Sequence, residues 1–174
     1  MNTSQIKNFA IQSRKILMEG VLNRIISLGF DIDGNLTIDR PIKIQGGTIF
    51  MGQLQDEGFF EAWTSLEQKI KQHKDNAIKN VCEEAAYTWF NRLVAIRIMQ
   101  KNKFIEPVMQ YVSEASRIPM IVDEARSGIL SLKMSSSDKT KLDELLRDST
   151  KTNEQFNLLI SAFCEANPVI FNCF

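Results

Sequence analysis

The sequence is poor in the residues that usually carry metal or disulfide chemistry. Its 174 residues include one histidine, His73, and three cysteines, Cys82, Cys164 and Cys173. The number of cysteines is odd, no Cys-x-x-Cys pair occurs and no histidine lies near a cysteine, so neither a zinc site nor a disulfide framework is indicated. We therefore expect reduced, core-type thiols in a cytosolic protein.

A charge excess and a long apolar run are also absent. Lys and Arg total 21, Asp and Glu total 21, and the formal net charge is zero. A free-standing, non-specific nucleic-acid binder normally carries a basic excess, so that class is disfavoured. No apolar run approaches the roughly 20 residues of a membrane helix, and the first 14 residues lack the apolar core of a signal peptide. We expect no membrane attachment and a cytoplasmic location.

The remaining composition is that of a globular protein. Apolar residues make up 44% of the chain and charged residues 24%, which excludes collagen-like and disordered chains. The length is sufficient for one domain with an ordinary apolar core. We predict a single helical domain over residues 1–174.

The spacing of apolar residues predicts a mainly α multi-helix bundle. The predicted helices cover residues 4–28, 56–73, 76–101, 108–116, 121–132, 138–147 and the chain from Thr152 onwards. Gly29 is the expected stop of the first helix, and Asp75 and Ser137 are expected N-caps. The apolar end of the chain, with Phe171 and Phe174, is predicted either to fold back onto this domain or to pack against a second copy.

A different pattern occupies residues 30–52. Asp33-Gly34-Asn35 and Gly46-Gly47 are turn signals, and β-branched or aromatic residues lie between them. We predict a small β-hairpin or loop excursion here. Pro41 restricts any strand that contains it to the edge of a sheet.

The helix over residues 76–101 carries apolar side chains around nearly its whole circumference. Such a helix is typically central, with neighbours on several sides. The sequence therefore assigns Trp89, Phe90 and Leu93 to the structural core.

Two arginines, Arg92 and Arg97, interrupt that apolar surface. A guanidinium needs partners in an apolar layer, so one interpretation is ion pairing with acids such as Glu61, Asp123 or Glu124. The other is contact with DNA phosphates or with another domain. The candidate residues for that contact are Arg92, Arg97, Lys101 and Lys103.

A further basic cluster precedes this helix and continues into it, and its ordinary interpretation is a solvated helix face. Its members are Lys69, Lys71, Lys74 and Lys79.

No catalytic, cofactor-binding or metal-binding residue is predicted. Gly46-Gly47 lacks the strand and helix that flank a phosphate-binding loop. Asp31 and Asp33 lie near a turn but lack the other ligands of a calcium loop. Glu83 and Glu84 point about 100° apart on a helix and do not face each other.

One segment of the chain resembles a known family. The run Ala-Tyr-Thr-Trp-Phe-Asn-Arg-Leu-Val-Ala-Ile-Arg-Ile-Met over residues 86–99 resembles a segment near the start of BREX-type phage-exclusion DNA methyltransferases, the PglX family. The opening Met-Asn-Thr-Ser-Gln-Ile-Lys-Asn-Phe-Ala, followed by Arg14-Lys15, is similar to that family's N-terminus. The resemblance covers about the first 30 residues and residues 81–104.

The resemblance implies a function for a larger parent protein. The family consists of large adenine-specific DNA methyltransferases related to type IIG restriction–modification enzymes. They transfer a methyl group from S-adenosylmethionine to adenine N6 and thereby mark host DNA. Partner proteins of the phage-defence system act against unmarked phage.

The family's catalytic signature, Asn-Pro-Pro followed by an aromatic residue, is missing. Asn167-Pro168 is followed by Val169-Ile170, without the second proline or the aromatic that stacks on a flipped adenine. No catalytic or cofactor residue is therefore carried over.

We expect a non-catalytic, helical N-terminal domain that precedes a methyltransferase domain. The cofactor, S-adenosylmethionine, is then bound by the parent protein and not by this fragment. The expected partners are DNA through the parent protein, the C-terminal methyltransferase domain and other defence-system subunits. The alternative is a stand-alone helical protein-interaction module without enzymatic activity.

Overall fold

The computed structural model describes residues 3–73 and 75–171, and the chain divides into two compact units, residues 1–90 and 91–174. The elements of unit 1 are α1 (Thr3–Ser27), β1 (Ile42–Ile44), β2 (Gly47–Phe50), β3 (Gln53–Gln55), α2 (Phe59–Gln72) and the first part of α3 (Ala77–Lys101). Unit 2 contains the rest of α3, α4 (Met120–Arg126), α5 (Ser136–Leu146), α6 (Thr152–Ala166) and α7 (Pro168–Phe171). The prediction of a mainly α fold with a small β element is confirmed.

The first helix ends where the sequence predicted. Gly29 has a φ of 91°, in the left-handed region that glycine adopts without strain. Its carbonyl oxygen accepts hydrogen bonds from the main-chain N–H and the side-chain hydroxyl of Thr37, at 2.8 and 2.9 Å. These bonds turn the chain back after α1 and lead it towards the sheet.

The β element is a three-stranded antiparallel sheet in the order β1-β2-β3. Ile42 pairs with Ile49, and Ile49 pairs with Leu54, so the three side chains form one row across the sheet. Pro41 directly precedes β1, which is an edge strand as predicted. The predicted range of residues 30–52 was too short, because a third strand extends the element to Gln55.

The second turn of the sheet explains why β3 was missed. Met51 and Gly52 connect β2 to β3, with φ values of 50° and 75°. Two consecutive positive φ values are the geometry of a tight hairpin turn, which usually contains Asn-Gly or Asp-Gly. A methionine at the first position gives no turn signal in the sequence.

The apolar core of unit 1 lies between the sheet and the three helices. The rings of Phe30 and Trp63 stack at a centroid distance of 5.2 Å, and Phe50 of β2 contacts Phe59 of α2 at 5.0 Å. The buried members of this core are Ile25, Phe30, Phe50, Trp63, Ile70, Ile78, Val81 and Cys82. Residues from α1, the sheet, α2 and α3 therefore share one cluster.

In unit 1, α1 and α3 run antiparallel to each other. Near the start of α1, the ring of Phe9 lies 6.4 Å from that of Phe90. One and a half turns further along α1, the guanidinium of Arg14 lies 3.2 Å from the carboxylate of Glu83. The contacts therefore occur in opposite order along the two helices.

The sequence predicted a central α3 with neighbours on several sides, and in unit 1 its full burial is confined to one side. Its buried residues there are Ile78, Val81, Cys82 and Ala86, which form a single stripe at helical spacing. Tyr87, on the opposite side of the helix, is 69% exposed. Outside the stripe, the residues of this part of α3 are half-buried or exposed.

The residues assigned to the core from sequence are not among the fully buried ones. Trp89, Phe90 and Leu93 are each half-buried. Apolar periodicity identified the helix correctly, but periodicity cannot say how many neighbours a helix has.

The start of α3 also differs from the prediction. The helix begins at Ala77, so Asn76 and not Asp75 occupies the position before it. Asn76 has a φ of 52°, a left-handed conformation that asparagine tolerates better than most residues.

Unit 2 is organised around α6. Gln155 of α6 is fully buried, and its side-chain oxygen accepts hydrogen bonds from Nε and Nη2 of Arg126 at 3.0 and 2.7 Å. Its amide nitrogen donates to the carbonyl oxygens of Leu145 and Asp148 at 2.8 and 2.9 Å. One glutamine thus joins α4 and the end of α5 to α6.

Two predictions for this region are wrong, because one predicted helix is absent and another is shorter than expected. Residues 108–116 are not helical; instead Tyr111 forms an isolated antiparallel bridge with Pro119. Arg117, with a φ of 48°, reverses the chain between them. The helix predicted over residues 121–132 ends at Arg126.

In unit 2, the start of α5 differs from the prediction, and the last described residues pack against α6. The N-cap of α5 is Ser135, whose hydroxyl accepts from the N–H of Asp138, and not Ser137. Phe171 is 1% exposed and contacts the edge of the Phe163 ring at 6.1 Å. The fold-back alternative is confirmed for Phe171, whereas Phe174 lies outside the described residues.

Candidate interaction surfaces

The four basic residues proposed for DNA or interdomain contact lie in unit 2. Arg97, Lys101 and Lys103 are exposed, whereas Arg92 is half-buried. Arg97 and Lys101 are four residues apart on α3 and share one face, while Arg92 points about 140° away from Arg97. The structure therefore brings Arg97 and Lys101 together and separates Arg92 from them.

Two members of the earlier basic cluster form ion pairs in unit 1. Lys69 contacts Glu84 at 2.9 Å, and Lys71 contacts Glu67 at 2.8 Å. The remaining members are Lys79, which is exposed, and Lys74, which lies outside the described residues. The interpretation as a solvated, ion-paired helix face fits Lys69 and Lys71.

Two carboxylates have lowered pKa values because of such pairs. The side chain of Glu67 is only 12% exposed, and hydrogen bonds from Lys71 and then from Arg40 hold its pKa below the usual range. The hydrogen bond from Lys43 likewise lowers the pKa of Glu61. Glu61 therefore pairs with a lysine of the sheet, and not with an arginine of α3 as one interpretation had it.

A groove of about 490 Å³ lies between α1 and the start of α3 in unit 1. Its floor is apolar and consists of Ile11, Met18, Leu22, Ile32, Ile78 and Cys82. Its rim is charged and consists of Arg14, Lys15, Glu19 and Lys79. Along α1 the floor extends from Ile11 to Leu22, and the 11 helical steps between them cover about 16 Å.

The rim of this groove is more positive than negative. Arg14 is paired with Glu83, and Lys15 lies 3.8 Å from Glu19 in an exposed contact. No ion pair of Lys79 occurs among the residues that the structure describes. The groove thus combines an apolar floor with cationic edges.

Unit 2 contains a second cavity, of about 470 Å³, beside the end of α3. Its lining mixes apolar side chains with the charged residues Lys103, Glu106 and Glu124. Phe104, at its edge, is 77% exposed. Its polar character distinguishes it from the groove of unit 1.

The outer face of the sheet is a third apolar surface. Ile42, Ile44 and Leu54 are 63%, 43% and 65% exposed. The register places all three on the face opposite Thr48 and Phe50, which are buried.

The acidic turn after α1 is held by its own hydrogen bonds. Oδ1 of Asp31 accepts from the main-chain N–H groups of Asp33 and Asn35, at 2.9 and 2.8 Å. The side-chain amide of Asn35 donates to Oδ2, and this bond makes the largest contribution to the lowered pKa of Asp31. Within residues 3–73 and 75–171, no group of three or more His, Cys, Asp or Glu residues is placed to hold a metal ion.

Two of the three cysteines lie in the described residues and are buried as free thiols. Burial raises the pKa values of Cys82 and Cys164, so both resist conversion to the reactive thiolate. Cys173 lies outside the described residues.

The groove of unit 1 does not fit S-adenosylmethionine. That cofactor carries a sulfonium, an amino-acid group and a nucleoside, which need polar partners. The floor of the groove is apolar, and the cations on its rim disfavour a sulfonium.

Comparison with known proteins identifies two relatives. The chain is 28% identical over 164 residues to the adenine-specific methyltransferase BrxX of Escherichia coli O9:H4 strain HS, a match that covers 84% of this chain and 13% of the relative. It is 30% identical over 138 residues to the adenine-specific methyltransferase PglX of Lacticaseibacillus casei strain Zhang, a match that covers 72% of this chain and 11% of the relative.

The chain is related to the PglX family. The resemblance predicted from residues 86–99 and from the opening residues is thereby confirmed and extended over most of the chain. The chain spans about an eighth of the length of these two relatives. No family model matches the chain, and no solved structure matches it.

Sequence reasoning missed the groove between α1 and α3. A signal for it exists in α1, where Ile11, Met18 and Leu22 recur at spacings of seven and four residues. Ile11 and Met18 were not singled out, because the sequence does not show which part of the apolar surface of a helix its neighbours leave uncovered. Among the described helices, none is long and apolar enough to cross a membrane.

Proposed function

We propose that this chain is a non-catalytic helical region of an adenine-specific DNA methyltransferase of a BREX-type phage-defence system. The observation that carries the proposal is the similarity to BrxX and PglX over 84% and 72% of the chain. The match covers about an eighth of each relative. Methyl transfer, S-adenosylmethionine binding and DNA binding are therefore proposed for the parent protein and not for these residues alone.

The proposed role is that of a scaffold beside the methyltransferase domain. The missing second proline and aromatic after Asn167-Pro168 support this role, as does the poor fit of the groove to S-adenosylmethionine. The scaffold would bind the remainder of the parent protein or other defence-system subunits through its exposed apolar surfaces.

The reading frame and a methylation assay test the proposal together. We expect the frame that encodes residue 174 to continue into an Asn-Pro-Pro-aromatic motif. The full protein should transfer a labelled methyl group from S-adenosylmethionine to adenine N6, and residues 1–174 alone should neither transfer it nor bind the cofactor. Micromolar binding of S-adenosylmethionine to residues 1–174 in a calorimetric titration would contradict the non-catalytic role.

We further propose that this region contacts the DNA backbone. Arg97 and Lys101 share an exposed face of α3, and Lys103 follows the helix. Cations in such positions bind phosphates without reading sequence. Arg92 is less suited to this contact, because it is half-buried and points away from the other two.

Charge reversal separates DNA contact from a purely structural role. Arg97→Glu with Lys101→Glu should weaken DNA binding by the full protein about tenfold and flatten its dependence on salt. The matched control is Lys133→Glu with Lys139→Glu, which changes the net charge equally at two other exposed positions. Equal weakening by both pairs would indicate a general charge effect and no local contact.

A further inference from the structure

We infer that the groove between α1 and α3 is the docking site of an amphipathic helix with acidic flanks, supplied by the remainder of the same methyltransferase polypeptide. The inference rests on the proposed function and adds a site and a binding mode to it. Three properties of the groove carry it: its shape, its charge and the amount of chain that surrounds such a region in its relatives.

The shape of the groove suits a helix. The floor is about 16 Å long, which corresponds to about three helical turns, and its volume is about 490 Å³. A helix in such a groove places apolar side chains along the floor at positions i, i+3 or i+4, and i+7. Ile11 and Ile32, at the floor's margins, are 58% and 69% exposed and would be covered by these side chains.

The charge of the rim selects acidic flanks on that helix. Three cations, Arg14, Lys15 and Lys79, stand against Glu19 on the rim. Arg14 already contacts Glu83, whereas Lys79 makes no ion pair within the described part of the chain. A carboxylate on the docked helix would find its nearest cation in Lys79, and would gain from Lys15 as well.

The length of the relatives identifies where the occupant comes from. The matched regions amount to 13% of BrxX and 11% of PglX, so most of each relative lies outside them. A neighbouring segment of one polypeptide has a high effective concentration and reaches an adjacent groove before a separate molecule does. A second copy of this chain is therefore the weaker candidate.

Cysteine accessibility tests this inference in the full protein. Ile11→Cys places a thiol on the floor of the groove, and Ile16→Cys places one at a 68% exposed position of the same helix that does not line it. Alkylation by iodoacetamide is quantified peptide by peptide, in residues 1–174 and in the full protein. We expect Ile11→Cys to react at least tenfold more slowly in the full protein, and Ile16→Cys to react equally in both.

A second variant reports on the charge of the occupant. Lys79→Glu in the full protein should restore most of the reactivity of Ile11→Cys, whereas Lys133→Glu, which does not line the groove, should leave it protected. Because this readout is alkylation and that of the proposed function is methyl transfer, either can fail alone.

The docking site, its occupant and the acidic flanks can each be contradicted by a different result. Equal reactivity of Ile11→Cys in both proteins overturns the docking site, and so does equal protection of both cysteines. Protection that depends on the concentration of residues 1–174 alone would instead identify a second copy as the occupant. Insensitivity to Lys79→Glu would overturn the acidic flanks.

Discussion

The indole Nε1 of Trp63 donates a hydrogen bond to the main-chain carbonyl oxygen of Leu28, across 2.9 Å. Leu28 directly follows α1, where carbonyl groups have lost their helical partners. A side chain of α2 thus satisfies the end of α1. The same indole is 3% exposed and stacks on Phe30, so one residue fixes both the end of the helix and the chain that follows it.

This arrangement makes Trp63 a sensitive position in unit 1. Trp63→Phe keeps most of the ring and removes the donor, and we expect a loss of about 1–2 kcal/mol in the free energy of unfolding. Trp63→Ala should cost about 3–5 kcal/mol, because it leaves a large cavity. Urea denaturation measures both, with the half-buried Trp89 as the comparison. A greater loss for Trp89→Ala than for Trp63→Ala would contradict the placement of the core.

Two glycines of the α1 region should respond in opposite directions to alanine. Gly29→Ala places a Cβ 2.2 Å from Cγ1 of Ile38 at a positive φ, so we expect a loss of about 2 kcal/mol or more. Gly20 lies inside α1 with open space where its Cβ would be, so Gly20→Ala should raise stability by about 0.5–1 kcal/mol. Thermal unfolding followed by circular dichroism compares them. A destabilising Gly20→Ala would mean that this face of α1 is covered.

In unit 2, we expect Gln155 to be as sensitive to substitution as Trp63 is in unit 1. Gln155→Ala removes one of the acceptors of Arg126 and leaves the carbonyl oxygens of Leu145 and Asp148 without that donor, so we expect a loss of about 3 kcal/mol. Asn157, an exposed residue of the same helix, is the control, and its alanine variant should change stability by less than about 0.5 kcal/mol. A double-mutant cycle with Arg126→Ala should show strong coupling. Additive losses would show that the two side chains act independently.

The pKa of Glu67 predicts how stability depends on pH. Because this pKa is lowered in the folded state, the stabilisation by Glu67 is complete above the ordinary pKa of a glutamate, about 4.3, and is lost as the pH falls through the folded value. Glu67→Gln should cost about 1 kcal/mol at pH 7, since both partner cations are exposed. Its stability should then fall less steeply than the wild type below pH 4.3. Parallel curves would contradict the role of this carboxylate.

Local sequence signals predicted the helices well where the decisive contacts are local. The stop at Gly29 and the start of α6 at Thr152 follow from glycine geometry and apolar spacing. The false helix over residues 108–116 has a different cause, because the pairing of Tyr111 with Pro119 competes with helix formation and involves a left-handed Arg117. A local stretch of sequence does not show whether the helix or the bridge is the more stable structure.

The candidate sites were less predictable than the fold. The sequence identified Arg97, Lys101 and Lys103 as basic residues, but the separation of Arg92 required the helix and its burial. The groove depends on which residues of α1 and α3 meet, for example Arg14 and Glu83, and that pairing of distant segments is not encoded in any local pattern.

The order of the small sheet bears on how the protein avoids aggregation. With β1 and β3 at the margins, both edges present unpaired main-chain groups, the kind of surface to which a strand of another molecule adds. Each edge strand has only three residues, Pro41 precedes β1, and the charged Lys43 lies within it. Short length, proline and a lysine are the means by which natural proteins block such strand addition. The sheet can therefore expose an apolar outer face without offering an edge on which a fibril would grow.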